Sequence, residues 1–133
     1  MPAIQPEECT RLLIEAIEAG DVDAAVALYE PQATFVVPPG RSVSGHGAIR
    51  EILQGFFASK DTGGVSEVSM TISADGTLAV LRTRGVTQAP GPDGSPIPMA
   101  FHSVEVVRKQ PDGTWRFVID DPSGAGVATI ALG

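Results

Sequence analysis

The stretch that decides the fold is Ala27–Leu53, ALYEPQATFVVPPGRSVSGHGAIREIL. Its residue pattern changes several times. Leu28 and Tyr29 close a helical pattern that stops before Pro31. Ala33–Val37 is β-branched and aromatic, which predicts a strand. Pro38, Pro39 and Gly40 end it, Ser42–Ser44 reads as a short pairing strand, and Gly45-His46-Gly47 as a turn. Ala48, Ile49, Ile52, Leu53, Phe56 and Phe57 then recur at helical spacing, predicting a helix that ends near Ser59.

Outward toward the N-terminus, residues 1–5 read as a lead-in. Pro6, Glu7 and Glu8 suit the first turn of a helix. Leu12, Leu13, Ala16 and Ile17 give that helix one apolar face, and Gly20 ends it. Asp21 caps a second short helix running to Tyr29. Outward toward the C-terminus, 60–64 reads as a loop and the period drops to two. Val68, Met70, Ile72 and Ala74 alternate with polar residues, and Asp75-Gly76 signals a hairpin into a strand over Leu78–Thr87. Ala89–Pro98 is rich in proline and glycine and reads as a loop near a cavity mouth. Met99–Lys109 and Thr114–Asp120 are two more strands, joined by Pro111-Asp112-Gly113. The apolar tail after Gly124 reads as a short strand or a segment lying across a neighbour.

Three helices followed by hairpin-linked strands predict an α+β domain spanning residues 1–133. The helices should pack on a strongly curved, mainly antiparallel sheet and leave a cone-shaped cavity. The chain has 133 residues, enough for one core, with 43% hydrophobic and 19% charged residues. Nine scattered basic residues and a net charge of −7 argue against nucleic acid. No window approaches a membrane span, and no basic-then-apolar leader opens the sequence, so a cytoplasmic protein is expected. Cys9 is the only cysteine, which rules out an internal disulfide and reads as a packed residue of the first helix.

The chain resembles the NTF2-like superfamily, in its SnoaL-like and ketosteroid-isomerase-like branch. The resemblance rests on Ala19-Gly20-Asp21, Ala27-Leu28-Tyr29, Ala33-Thr34-Phe35, Gly45 with Ala48-Ile49-Arg50, and Asp112-Gly113-Thr114-Trp115-Arg116, in that order. It implies an NTF2-like, cystatin-like fold, a homodimer built through the sheet face, and a small hydrophobic ligand. It also implies that the ketosteroid-isomerase tyrosine, base and later acid would fall at Leu13, Val37 and near His102. None matches, so steroid isomerisation by that mechanism is not expected.

The candidate acid/base residues are His102 and Asp121. His102 shares a strand face with Ala100, Val104 and Val106, an apolar face expected to point at the helices. Asp121 alternates onto the face of Trp115, Phe117 and Ile119. A His–Asp pair on late strands is what the resemblance to SnoaL-like cyclases implies. Tyr29, Phe35, Val37, Phe56, Phe57, Met99 and Trp115 are the candidate ligand-binding residues. Arg82, Arg84, Glu105 and Arg116 read as an outer-face charge ladder, and His46 as an exposed turn residue. No metal-ligand spacing is present and no cofactor is expected. Three functions stay open: a cofactor-free cyclase- or isomerase-like enzyme, a non-catalytic binding domain, and a dimerisation module.

Overall fold

The computed structural model describes residues 2–38, 40–59 and 64–124. The tail expectation, and most of the predicted 60–64 loop, lie outside the described residues.

Helix α1 spans Glu8–Ala19. The Glu8 carboxylate accepts the main-chain N–H groups of Ile4 and Gln5, at 3.0 and 2.7 Å, which anchors the entry to the helix. Gly20 ends it in the left-handed conformation, φ 71°, which glycine adopts without Cβ strain. Asp21 then caps α2, Val22–Val26, by accepting the Ala24 N–H. The second helix is shorter than its sequence pattern predicts. Tyr29 belongs instead to strand β1, Tyr29–Val36. Strand β2 is Ser42–Ser44, and helix α3 runs His46–Ser59. Four long strands follow: β3 Gly64–Ile72, β4 Leu78–Pro90, β5 Pro96–Lys109 and β6 Trp115–Asp121.

The strands form one curled, unclosed sheet in the order β2-β1-β6-β5-β4-β3. Every pairing is antiparallel except β1 with β6. The first and last long strands thus meet in the middle of the sheet. Half of the predicted loop at 89–98 is strand: Ala89 pairs with Ile97 and Pro90 with Pro96, leaving a five-residue turn at 91–95 between. The lead-in is also ordered. Ala3 is fully buried and bridges Trp115.

Pairing fixes which side chains share a face. Met70, Leu81, Glu105, Asp120, Phe35 and Val43 form one row across the sheet. Leu81, Glu105, Asp120 and Phe35 are buried, so this row belongs to the inner face, toward the helices. Thr71, Val80, Val106, Ile119, Thr34 and Ser44 form the neighbouring row on the outer face. The core gathers Tyr29, Phe35, Phe117, Ile49, Leu53, Leu81 and Val107 between helices and sheet. The expected α+β architecture, with helices on one side of a curved sheet, is what the chain adopts.

Candidate functional site

A cavity of about 280 Å³ opens between α1, α3 and the inner sheet face. Its walls are apolar. Leu13, Ile14 and Ile17 come from α1, Leu53 and Phe56 from α3, and Phe35, Phe101 and Phe117 from the strands. Its depth beside Phe101 depends on Gly85, the residue paired with Phe101 on β4. A Cβ on Gly85 would lie 2.7 Å from the Phe101 ring and 2.2 Å from the Gly64 carbonyl oxygen. Only glycine lets that ring lie against the sheet.

The polar end of the cavity is built on four neighbouring strands, β1, β6, β5 and β4. Asp120 of β6 and Glu105 of β5 are each only 5% exposed, yet both line the cavity. They are directly opposite in the antiparallel ladder, which sets their Cβ atoms roughly 4.5–5.5 Å apart. The Tyr29 phenol donates to Asp120 Oδ2 at 2.5 Å. Thr83 donates its hydroxyl to Glu105 Oε1 at 3.2 Å, and the Ser103 side chain also hydrogen-bonds Glu105. Thr83 and Ser103 line the cavity as well.

Two carboxyl groups in one apolar cavity cannot both ionise cheaply. Burial, and then the charge of Asp120, push Glu105 up to about 8. Burial pushes Asp120 up to about 6, against the pull of the Tyr29 hydrogen bond. Burial and Asp120 together hold the Tyr29 phenol well above its ordinary value, so it stays a donor. At neutral pH the pair therefore holds one proton between two carboxyl groups, and the Tyr29 hydrogen bond favours Asp120 as the ionised member and Glu105 as the protonated one. Environments that separate two neighbouring acids in this way suit proton transfer. Thr10 adds a further group. It lines the cavity from α1, and its buried hydroxyl has no hydrogen-bond partner among the described residues.

The profile described as "SnoaL-like domain" matches residues 10–121. The chain belongs to the SnoaL-like domain family. The fold is one that isomerase-like, cyclase-like and ligand-binding proteins share. No curated protein sequence matches this SnoaL-like chain. Solved structures do. A candidate ketosteroid isomerase from Shewanella frigidimarina is 15% identical, with 86% of this chain and 91% of that one covered and a TM-score of 0.73. A candidate dehydratase of the NTF2-like family from Streptomyces avermitilis is 17% identical, with 87% and 95% covered and a TM-score of 0.68. An NTF2-like protein with a cystatin-like fold from Novosphingobium aromaticivorans is 18% identical, with 86% and 79% covered and a TM-score of 0.64. At these identities the likeness carries the fold alone.

The SnoaL-like frame places the expected site residues unevenly. Tyr29, Phe35 and Phe56 line the cavity. Val37 is half-buried against the core, outside the lining. Met99 is 50% exposed, farther out along β5 than the cavity. Trp115 is buried beside Leu12, Ala16 and Leu28, where it lines a separate pocket. The side chain of Phe57 is outside the described residues. His102 and Asp121 are not in the cavity lining. His102 pairs with Arg84 and alternates with buried Ser103, which puts it on the outer face. Asp121 turns its carboxylate onto the N–H groups of Ser123 and Gly124, at 3.2 and 3.0 Å.

The two corrections have separate physical causes. On β5 the polar residues, Ser103 and Glu105, face inward, while Val104 and Val106 face outward; reading the apolar set as the inner one inverts the strand. On β6 the register shifts. Val106 pairs with Ile119 but Val107 pairs with Phe117, so Val118 is an extra residue. The bulge brings Asp120, not Asp121, onto the face of Trp115 and Phe117. Glu105 is likewise not part of an outer charge ladder. His46 is not an exposed turn residue: it begins α3, half-buried, and its Nε2–H donates to the Tyr29 carbonyl at 2.8 Å. Among the described residues, no group of three or more His, Cys, Asp or Glu side chains is placed to hold a metal ion.

Proposed function

We propose that this SnoaL-like domain binds a small, largely apolar molecule in the cavity and transfers a proton on it. The observation that carries this is the pairing of Glu105 and Asp120, both buried and both open to the same apolar cavity. Glu105 gives its proton to the substrate, and ionised Asp120 takes one from it. Tyr29 holds Asp120 in place, and a proton passing back between the adjacent carboxyl groups restores the starting state. The reading moves the acid/base roles from His102 and Asp121 to Glu105 and Asp120. It describes an isomerase- or cyclase-like step and needs no cofactor.

The test is proton exchange at carbon. β-Tetralone in deuterated buffer should lose its α-proton signal faster with the protein than with buffer alone. Glu105→Gln, which keeps the side-chain shape, should slow that exchange at least tenfold. Exchange no faster than in buffer refutes proton transfer. Exchange faster than in buffer but unchanged in Glu105→Gln removes Glu105 from the step, and binding with exchange at the buffer rate leaves a ligand-binding domain only.

The outer sheet face supports a second reading about assembly. Val80, Val106 and Ile119 lie in one row, and Ile119 is 40% exposed. A second copy of the chain covering this row would bury it. Sedimentation should then give about twice the 13.8 kDa chain mass; a mass of one chain at micromolar concentration counts against it. The unpaired thiol of Cys9 suits a reducing compartment such as the cytoplasm.

A further inference from the structure

Among the described residues, every charged side chain lining the cavity is acidic: Glu105 and Asp120 line it, and no Lys, Arg or His does. The cavity is also where the chain's aromatic residues gather. Of seven (five Phe, one Tyr and one Trp), five line it: Tyr29, Phe35, Phe56, Phe101 and Phe117. Aromatic faces carry negative potential and attract cations, most strongly where water is excluded. A buried carboxylate with no cationic partner is poorly compensated by protein groups alone. Rings and carboxylates therefore favour the same ligand charge. The net charge of −7 draws cations toward the protein from a distance.

Resting on the cavity reading above, we propose that the molecule bound between the Glu105–Asp120 pair and the surrounding aromatic rings is a small organic cation: an apolar body with one protonated amine. Its ammonium group donates to the two carboxyl groups, and its apolar body fills the space against Leu13, Ile17 and Leu53. The Thr10 hydroxyl, on the helix side of the cavity and without a partner among the described residues, is available to a second polar atom of the ligand. An anionic ligand would face Asp120 with like charge, which disfavours it strongly. A neutral alcohol of the same shape keeps the apolar contacts and loses the charge pairing.

Three probes of one shape separate these cases: phenethylamine, 2-phenylethanol and phenylacetate, each titrated calorimetrically at pH 7. The amine should bind at least tenfold tighter than the alcohol, and phenylacetate should give no measurable binding. Asp120→Asn, which removes the ionised carboxylate, should reduce the amine's affinity toward that of the alcohol and change the alcohol's by less than twofold. If Asp120→Asn fails to fold, the unaltered protein stands as the test: lowering the pH from 7 to 5, which protonates Asp120, should weaken the amine at least fivefold and leave the alcohol unchanged, and an amine preference unchanged at pH 5 overturns the cationic ligand. Alcohol binding as tight as that of the amine, or tighter binding of phenylacetate, overturns the cationic ligand and leaves the cavity reading intact. No binding of any probe at millimolar concentration overturns both.

Discussion

The Tyr29 phenol and the Asp120 carboxylate, 91 residues apart in the chain, share a 2.5 Å hydrogen bond in the interior. It joins the first long strand to the last at the polar end of the cavity. Tyr29→Phe keeps the ring and its packing on Phe117, whose centroid is 4.8 Å away, and removes only the donor. It should cost about 1–3 kcal/mol, the usual cost of leaving a buried polar group short of a partner. It should also raise the pKa of Asp120 further, because that bond favours the ionised form. Urea denaturation gives the first quantity and carboxyl carbon shifts against pH give the second. An unchanged Asp120 titration would contradict the described bond.

Glu105 makes stability fall as pH rises. Unfolded, it ionises near 4.5; folded, it holds its proton to about 8. Between those values the unfolded chain loses a proton that the folded chain keeps, so ionisation favours unfolding. The contribution is full below 4.5 and lost by about pH 8. Asp120 acts in the same direction between 3.8 and about 6. Glu105→Gln should flatten the decline, with a difference on the order of a few kcal/mol between pH 5 and pH 8. Urea midpoints across that range measure it, and an equally steep decline in the variant would refute the assignment. The lowered surface acids, such as Asp75 at about 2, act in a separate window, as pH falls below about 4.

Leu53 is 1% exposed and forms part of the cavity wall. Leu53→Ala should destabilise the fold by about 2–5 kcal/mol, the range for emptying a buried leucine site. It should also enlarge the cavity, so that bulkier apolar probes bind relatively better. Thermal unfolding checks the first effect and titration with 2-phenylethanol against 2-naphthaleneethanol the second. A change below about 0.5 kcal/mol, the range of ordinary surface substitutions, would mean that the wall closes around the gap.

Cys9 is buried, and its thiol donates to the Trp115 carbonyl at 3.6 Å. Burial, then the nearby Glu8, push it up to about 12. Almost no thiolate forms at pH 8, so iodoacetamide should label the native protein only as it unfolds. Labelling should accelerate across the urea transition. Rapid labelling without urea would show the thiol to be accessible.

The helix faces, the Asp75-Gly76 hairpin and the change from helical to alternating spacing were legible in the sequence, because each depends on residues close together in it. The polar end of the cavity depends on pairings across the sheet. Glu105 stands among valines and looks like a surface residue until Thr83, Ser103 and Asp120 surround it. One signal was available: Phe101, Ser103, Glu105 and Val107 also alternate, and a glutamate in a long strand beside a Trp- and Phe-bearing strand is a candidate for burial. The bulge at Val118 left no such sign, since neither glycine nor proline marks it. His46 likewise shows its role only when α3 meets the Tyr29 carbonyl.

The absence of a side chain at Gly85 has an evolutionary corollary. The ring of Phe101 occupies space that any other residue at 85 would claim. Because the Gly64 carbonyl oxygen crowds the same spot, a slimmer residue at 101 would not by itself make room at 85; chains descended from a common ancestor with this one should keep glycine at 85 and vary the ring at 101 instead. Exchange at 101 alone changes the size of molecule admitted while Glu105 and Asp120 stay untouched, so new ligands can be acquired without rebuilding the acids.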